Sequence, residues 1–268
     1  MKQIVAFCSC AIICSAAIAQ RVSIPNSETK FITSSIVHQQ YELQILLPAG
    51  YNKSDKKYPV MYLMDSQWDF PLAAAVYGQQ FYDKFIPEMI FVGITWAGPN
   101  ANPDSLRARD YTPTTESRLP QSGGAANYLS FMEKELIPYV ENHYRAAGQP
   151  RGLMGSSLGG LFTLYALFTK PNLFQKYIAA SPAVGWDKEV IYKYEQDYFQ
   201  QHPTAPAKLY MVVGGVENTV PFSKMAEQLA GRHYSQLQME TRILDHIGHS
   251  GSKGEGFARG LQFVFAKQ

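Results

Sequence analysis

The sequence GLMGSSLGGLFTLYALF, residues 152–168, joins a short apolar run to a helical run through the turn Gly155-Ser156-Ser157-Leu158-Gly159. A G-x-S-x-G turn between a strand and a helix is sharp and lifts the serine hydroxyl above a sheet. Side chains at Gly155 and Gly159 would collide with the neighbouring chain, and the helix directs free N–H groups at the serine. The pattern predicts Ser157 as a nucleophile and the Leu158 N–H as one oxyanion donor.

A serine nucleophile needs a base, and the base needs an acid that orients it. Downstream of Ser157, the apolar run 209–213 leads into Gly214-Gly215-Val216-Glu217, which places Glu217 at the carboxyl end of a predicted strand. The orienting acid belongs at such a position, between the serine and the histidine in the chain. We favour Glu217. Asp187 and Asp245 are alternatives, and Glu217 is otherwise a solvated loop carboxylate.

The base is sought among the four histidines that follow the serine, which are His202, His233, His246 and His249. The first two fall in a polar loop and at a predicted helix end, so we expect both on the surface. The other two lie in the glycine-flanked loop 244–251 before the last helix, where a side chain can reach back over the serine. We favour His249 over His246. As metal ligands these two would need a third partner, and no such cluster accompanies them, so no metal site is predicted.

Short apolar runs alternate with helical patterns along the chain, and this alternation predicts a mostly parallel sheet with helices on both faces. The predicted strands are 41–47, 60–64, 89–95, 152–154, 177–180, 209–213 and 239–244, and the predicted helices are 126–144, 158–170, 223–234 and 257–266. Pro138 should kink or restart the first of these helices. No repeat or low-complexity linker divides residues 20–268, so we expect one domain.

The first 19 residues have the pattern of a secretory signal peptide, with Lys2, an apolar stretch and Ala17-Ile18-Ala19 before Gln20. The uncharged run is shorter than the ~20 residues that span a bilayer, so no stable membrane insertion is expected after cleavage. A lipid-anchored cysteine is a weaker alternative. All three cysteines fall in this segment, which excludes a cysteine nucleophile from the mature chain. The prediction is an exported protein, periplasmic or secreted.

The charge composition limits the classes of ligand that the protein is expected to bind. Among 268 residues there are 24 Lys and Arg against 22 Asp and Glu, and 17% of the residues are charged. Such a balance offers no basic face for nucleic acid, so no nucleic-acid partner is expected. A small or neutral ligand fits better than a polyanion.

Several stretches, in this order along the chain, carry a resemblance to a known family. They are Leu47-Pro48-Ala49-Gly50-Tyr51, the run Tyr58–Asp65, Arg107–Pro113, Glu135–Tyr139, Gly155–Gly160, Ser181-Pro182 and His249-Ser250. Together they resemble an esterase family of α/β-hydrolases that includes esterase D-like enzymes, feruloyl and acetyl xylan esterases, siderophore esterases and mycolyltransferases. The resemblance runs from about Tyr41 to Phe265.

This resemblance implies an α/β-hydrolase fold, a serine-histidine-acid triad and no cofactor. His249 matches the catalytic histidine that precedes the final helix, and Glu217 matches the acid position. The second oxyanion donor should follow Met64, where the family usually has a glycine after the aspartate and this chain has Ser66. Gln67 is our choice for that donor, ahead of Ser66.

The three tryptophans each follow a predicted strand, at the edge where ligands of open α/β sheets bind. Trp68, Trp96 and Trp186 are therefore candidate substrate-binding residues, although each can instead cap the core. The polar segment 98–124 is expected to form a cleft wall. Its Arg107 is a further candidate for substrate binding, although we favour a structural pair between Arg107 and Asp110 that holds this segment in place.

The sequence-based hypothesis is a serine esterase that acts on a carbohydrate-linked or aromatic acyl ester. Its first alternative is a siderophore trilactone esterase. Acyl transfer uses the same residues and differs only in the acceptor. A hypothesis of another class is a non-catalytic ligand-binding protein on a hydrolase fold.

Overall fold

The computed structural model of the protein describes residues 23–201 and 204–266. The proposed signal peptide, residues 1–19, and His202 lie outside the described residues. Within them, no helix is long and apolar enough to cross a membrane.

The described chain forms one eight-stranded sheet with an α/β-hydrolase fold. Its strands are β1 Ser27–Thr33, β2 Gln40–Leu46, β3 Tyr58–Leu63, β4 Ile90–Ala97, β5 Ala146–Ser156, β6 Lys176–Ala180, β7 Thr204–Gly214 and β8 Ser235–Leu244. The order across the sheet is β1-β2-β4-β3-β5-β6-β7-β8. β2 is antiparallel to both of its neighbours, and all pairs from β4 to β8 are parallel.

The helices are α1 Ser66–Tyr82, α2 Pro103–Tyr111, α3 Ala125–Phe131, α4 Ile137–His143, α5 Leu158–Thr169, α6 Trp186–Glu189, α7 Ile191–Gln201, α8 Val220–Arg232 and α9 Ser252–Phe265. Side chains of β3 alternate between two hydrophobic clusters, as a strand buried on both faces requires. Tyr62 lies in the cluster that includes residues of α3, α5 and α8, and Leu63 lies in the one that includes residues of α1 and α9. The sheet is therefore covered on both faces, as predicted.

The helix predicted over residues 126–144 changes its helical type just before Pro138. α3 ends at Phe131, a π-helical turn covers Met132–Leu136, and α4 starts at Ile137 with Pro138 in its first turn. Proline has no N–H to donate to the preceding turn, but in the first turn of a helix no intrahelical partner is needed. The backbone angles stay helical at Phe131, Leu136 and Ile137, so the π-helical turn joins α3 to α4 without a break in the helix.

The polar segment 98–124, expected to form a cleft wall, contains the helix α2, which was not predicted. The Asn102 side chain accepts a hydrogen bond from the Ser105 N–H at 3.2 Å, and Pro103 is the first helical residue. An asparagine cap followed by proline is a signal for the start of a helix. The sequence contains this signal, but the polar composition of the segment gives no apolar helical pattern beside it. β1, α1 and α7 were not predicted either.

Candidate active site

Ser157 lies on a strained turn between β5 and α5. Its φ of 58° and ψ of −118° fall outside the regions that residues with a side chain usually adopt. Two hydrogen bonds hold this backbone: the Ser157 N–H donates to the Ala180 carbonyl at 3.0 Å, and its carbonyl accepts from the Ala183 N–H at 3.0 Å. Such strain, of about 1 to 3 kcal/mol, persists only where the surroundings enforce it.

The two glycines of the turn allow close approach. A Cβ on Gly155 would lie 2.6 Å from the carbonyl carbon of Gly159, as the sequence suggested. A Cβ on Gly159 would lie 3.0 Å from the Cβ of Met64 and 3.3 Å from a carboxylate oxygen of Asp65. The start of α5 therefore packs directly against the turn that leads from β3 into α1.

Glu217 and His249 meet at the carboxyl ends of β7 and β8. The His249 Nδ1 lies 2.5 Å from the Glu217 Oε2. The other carboxylate oxygen, Oε1, accepts from the Gly214 N–H at 2.8 Å and from the Ser181 hydroxyl at 2.6 Å. Burial raises the pKa of Glu217, but hydrogen bonds from Ser181, His249 and Gly214 outweigh it and hold the pKa below its ordinary value.

The alternative acids and bases have different surroundings. Asp245 and His246 are exposed, and His246 has a φ of 58°. Asp187 belongs to a left-handed turn directly after Trp186, and His233 forms the left-handed end of α8. Of the candidates that the sequence left open, the structure brings Glu217 and His249 into contact.

Sequence reasoning missed two serines that contact this pair. Ser181 and Ser252 are both buried, and their hydroxyl oxygens lie 2.7 Å apart. The Ser252 hydroxyl donates to the His249 carbonyl at 2.8 Å. Ser181 was noted only as part of the Ser181-Pro182 motif, and a serine offers no spacing signal that would mark it as a partner of an acid.

Two helices begin beside the nucleophile, and both supply free N–H groups. α5 begins at Leu158 and α1 begins at Ser66, so the first backbone N–H groups of each helix have no acceptor within it. Leu158 and Gln67 occupy such positions. Because Gly159 packs on Met64 and Asp65, these two helix starts are neighbours.

Asp65, the residue just before α1, is ion-paired. It is buried, has a φ of 54°, and accepts two hydrogen bonds from Arg107, at 3.1 and 2.9 Å. Burial raises the pKa of Asp65, and the Arg107 guanidinium opposes this rise. The expectation that Arg107 pairs with Asp110 was wrong, because Asp110 is paired with Arg109 at 2.7 Å.

The three tryptophans have different environments. Trp68 is 51% exposed, and the Arg107 guanidinium lies 5.6 Å from its ring. Trp186 is half-buried, and its indole N–H donates to the Thr114 carbonyl at 3.2 Å. Trp96 does not fit its assignment as a substrate-binding residue. It is 6% exposed, and its N–H donates to the buried Asp110 at 2.6 Å, so it caps the core.

In the described part of the chain, the histidine pair of loop 244–251 does not belong to a cluster of three metal ligands. Among residues 23–201 and 204–266, no three His, Cys, Asp or Glu side chains converge as a metal site would require. The site described above is built from the elbow serine, the histidine-glutamate contact and backbone N–H groups.

Comparison with known proteins identifies the family of this chain. The family model described as "Putative esterase" matches residues 34–255. The chain belongs to this esterase family. It is a carboxylic ester hydrolase of the serine hydrolase type.

Individual relatives place it beside siderophore esterases. The ferri-bacillibactin esterase BesA of Bacillus subtilis is 32% identical over 212 residues, which are 73% of this chain and 72% of that protein. The siderophore triacetylfusarinine C esterase of Aspergillus fumigatus is 32% identical over 174 residues, 62% of this chain and 59% of that one. The solved structure of an IroE-like serine hydrolase from Shewanella oneidensis matches with a TM-score of 0.78 and 26% identity, covering 89% of this chain and 80% of that chain.

Proposed function

We propose that Ser157, His249 and Glu217 form a catalytic triad that hydrolyses an ester through an acyl-enzyme. The observation that carries this proposal is the 2.5 Å contact between the His249 Nδ1 and the Glu217 carboxylate. It fixes the imidazole with Nδ1 as donor, which leaves Nε2 as the free base. The strained elbow supplies the nucleophile in the chain order that this fold uses, serine, acid, histidine.

The reaction has two halves with the same proton path. His249 Nε2 takes the Ser157 proton as the serine oxygen attacks the ester carbonyl, and it then protonates the leaving alkoxide as the C–O bond breaks. Water repeats the attack on the acyl-serine and gives a proton to His249. As the bond between the acyl carbon and the Ser157 oxygen breaks, His249 returns this proton to the serine oxygen, and the carboxylic acid leaves. Glu217 stays ionised throughout and stabilises the imidazolium.

Backbone N–H groups stabilise the negative charge that develops on the carbonyl oxygen. We assign these donors to Leu158 at the start of α5 and to Gln67 in the first turn of α1. Both come from helix N-termini, where the helix dipole adds to the effect. The departure from the family glycine at Ser66 does not remove this donor, because a backbone N–H is present whatever the side chain.

The preferred substrate class is a siderophore ester. The sequence alone ranked carbohydrate-linked or aromatic acyl esters first. We rank siderophore esters above them because the two relatives described above are named for siderophore esters. Two cations beside the start of α1 are ion-paired, Arg107 with Asp65 and Lys253 with Asp69. A triply anionic ferric complex would therefore find little net positive charge, so the iron-free siderophore should be the better substrate.

An aromatic acyl ester remains the second candidate because Trp68 is half-exposed beside Arg107. A half-exposed indole offers a stacking surface for an aromatic ring. Carbohydrate-linked feruloyl esters belong to this class.

The test is hydrolysis by the purified chain, from Gln20 onward, of one panel: a trilactone siderophore with and without iron, methyl ferulate, acetylated xylan and nitrophenyl esters. Ser157→Ala is the control for each. We expect serine-dependent turnover, fastest with the iron-free siderophore. Faster turnover of methyl ferulate would select the aromatic acyl ester. Turnover of none, with retained binding, would favour the non-catalytic hypothesis.

A further inference from the structure

Two buried hydroxyl groups connect the acid to the base on the side away from their direct contact. The Ser181 hydroxyl donates to the Glu217 Oε1 at 2.6 Å, and the Ser252 hydroxyl donates to the His249 carbonyl at 2.8 Å. The two hydroxyl oxygens lie 2.7 Å apart. With the direct contact between Glu217 and His249, these bonds form a closed ring. We call Ser181 and Ser252 the hydroxyl pair.

The nucleophile's own backbone holds one member of this pair in place. Ala180, just before Ser181, accepts a hydrogen bond from the Ser157 N–H, and Ala183, two residues after it, donates one to the Ser157 carbonyl, each at 3.0 Å. Ser181 itself has a φ of 40°, and its N–H donates to the Val212 carbonyl at 2.6 Å. Strain at a non-glycine residue persists only where the surroundings fix it. The loop that holds the nucleophile therefore also orients the acid.

The base is the more exposed residue of the histidine-glutamate pair. The His249 side chain is 51% exposed, whereas that of Glu217 is 18% exposed. Ser252 is fully buried at the start of α9, and its N–H donates to the Gly248 carbonyl at 3.1 Å. The buried hydroxyl therefore ties the exposed histidine's main chain to the interior.

Proton counting shows that the two hydroxyls act as a unit. A glutamate carboxylate and a backbone carbonyl only accept hydrogen bonds, so two hydroxyl protons serve three short contacts. The Ser181 hydroxyl donates its proton to the Glu217 carboxylate, because a hydrogen bond to a charged acceptor is stronger than one to a neutral acceptor. The single Ser252 hydroxyl proton is then shared between two acceptors, the Ser181 hydroxyl oxygen and the His249 carbonyl oxygen. Removal of either hydroxyl changes what the other one does.

We propose that the hydroxyl pair, Ser181 and Ser252, positions Glu217 and His249 relative to the nucleophile. Neither serine is a catalytic residue, since each acts through the acid or through the main chain of the base. This inference rests on the proposed triad and extends it to two further residues. It also gives a role to the Ser181-Pro182 motif, which the triad alone leaves unexplained.

The kinetic test uses variants that separate positioning from folding. Ser181→Gly removes the hydroxyl and also relieves the positive φ, so the variant should fold. Ser252→Ala is the second variant. The matched control is Ser34→Ala, because Ser34 is a buried serine at the opposite edge of the sheet that donates to the Glu135 carboxylate at the same 2.6 Å.

We expect Ser181→Gly to lower kcat by roughly tenfold to a hundredfold with KM unchanged, as loss of a hydrogen bond to a charged group implies. Ser252→Ala should also lower kcat at unchanged KM. The double variant should lose less than the product of the two single losses, because the residues share one network. Ser34→Ala should leave kcat unchanged. Equal kcat in all four variants and the wild type would overturn the proposal.

A spectroscopic readout keeps this test separate from the proposed function. The downfield proton NMR signal of the His249 Nδ1–H, assigned by its loss in His249→Gln, reports the bond to Glu217 without any substrate. We expect Ser181→Gly to move this signal upfield and Ser34→Ala to leave it in place. If no ester is hydrolysed but the signal moves, the esterase proposal fails while the positioning role stands. A signal that stays in place in Ser181→Gly would refute the positioning role.

Discussion

At the scale of single residues, the turn that carries Ser157 depends on Gly155, which has no room for a side chain. A Cβ there would lie 2.6 Å from both the carbonyl carbon and the carbonyl oxygen of Gly159. These are backbone atoms, so the turn itself would have to shift. The position of Ser157 depends on that turn.

We predict that Gly155→Ala lowers the free energy of unfolding by about 1 to 3 kcal/mol, as overpacking does, and lowers kcat strongly. Gly231→Ala in α8 is the matched control, because a Cβ on Gly231 would have no neighbouring atom within 4 Å. Alanine is the better helix former there, so the control should gain rather than lose stability. Denaturant unfolding and ester hydrolysis measure both effects. Equal stability of the Gly155→Ala variant and the wild type would contradict the close packing of the elbow.

A second prediction at the residue scale concerns Glu217 and the pH dependence of protein stability. The pKa of Glu217 in the folded protein lies below its ordinary value. The interactions of the ionised carboxylate therefore stabilise the fold at pH values above the ordinary pKa. This stabilisation is lost as the pH falls through the pKa of the folded protein. The difference in melting temperature between wild type and Glu217→Gln should be constant near neutral pH and shrink at acid pH. A thermal unfolding series from neutral to acid pH measures this difference. A gap that widens with acidification would contradict the lowered pKa.

Single residues differ in how well the sequence predicts them. Ser157 is predictable because the glycine spacing around it has one geometric meaning. Trp96 is not, because a tryptophan after a strand can face solvent or core, and only the buried Asp110 decides which. Arg107 likewise pairs with Asp65, which is distant in sequence, rather than with its helical neighbour Asp110.

At the scale of helices and strands, a buried ion pair joins two helices on the same face of the sheet. Lys253 in α9 contacts Asp69 in α1 at 2.6 Å, and the Asp69 side chain is 3% exposed. α1 carries the proposed oxyanion donor, and α9 begins just after His249. Burial raises the pKa of Asp69 despite the nearby lysine, so the carboxylate depends on this partner.

We predict that Lys253→Met destabilises the protein by about 1 to 3 kcal/mol, because it leaves a buried carboxylate without its partner. Adding Asp69→Asn to Lys253→Met should restore most of this loss. The matched control is Lys193→Met, which breaks the exposed pair with Asp197 and should cost less than about 0.5 kcal/mol. Urea denaturation compares the four proteins. Equal losses for Lys253→Met and Lys193→Met would show that burial does not strengthen the first pair.

Elements were predictable where one local signal dominated. The buried parallel strands appear as apolar runs, and Pro138 marks the start of α4 through its missing N–H. β1 was missed because it is an edge strand with side chains that alternate between exposed and half-buried, which leaves a weak apolar pattern. α2 was missed because its composition is polar, although Asn102 and Pro103 signal its start.

At the scale of the whole molecule, the candidate site is assembled from the carboxyl ends of successive parallel strands. β5 leads into Ser157, β6 into Ser181, β7 into Glu217 and β8 into the loop of His249. Residues far apart in the chain meet there because parallel strands end at one edge of the sheet. The order of the residues in the sequence is predictable from the fold, whereas their contacts through hydroxyl groups are not.

We also propose that the enzyme acts after export, on the basis of the signal-peptide pattern in residues 1–19. Expression in a bacterial host with an intact export pathway should release a mature chain that begins at Gln20. Intact-mass measurement of the exported fraction identifies the first residue. An uncleaved chain that stays in the cytoplasm would contradict this proposal.

The measurement that tests the central claim most directly is labelling with a fluorophosphonate, followed by mass spectrometry of the digested protein. An activated serine attacks such a reagent, whereas ordinary serines do not. We predict one adduct per chain, on the peptide that carries Ser157, and much slower labelling of His249→Ala and Glu217→Ala. Labelling of a different residue, or none in the folded wild type, would contradict the proposed triad.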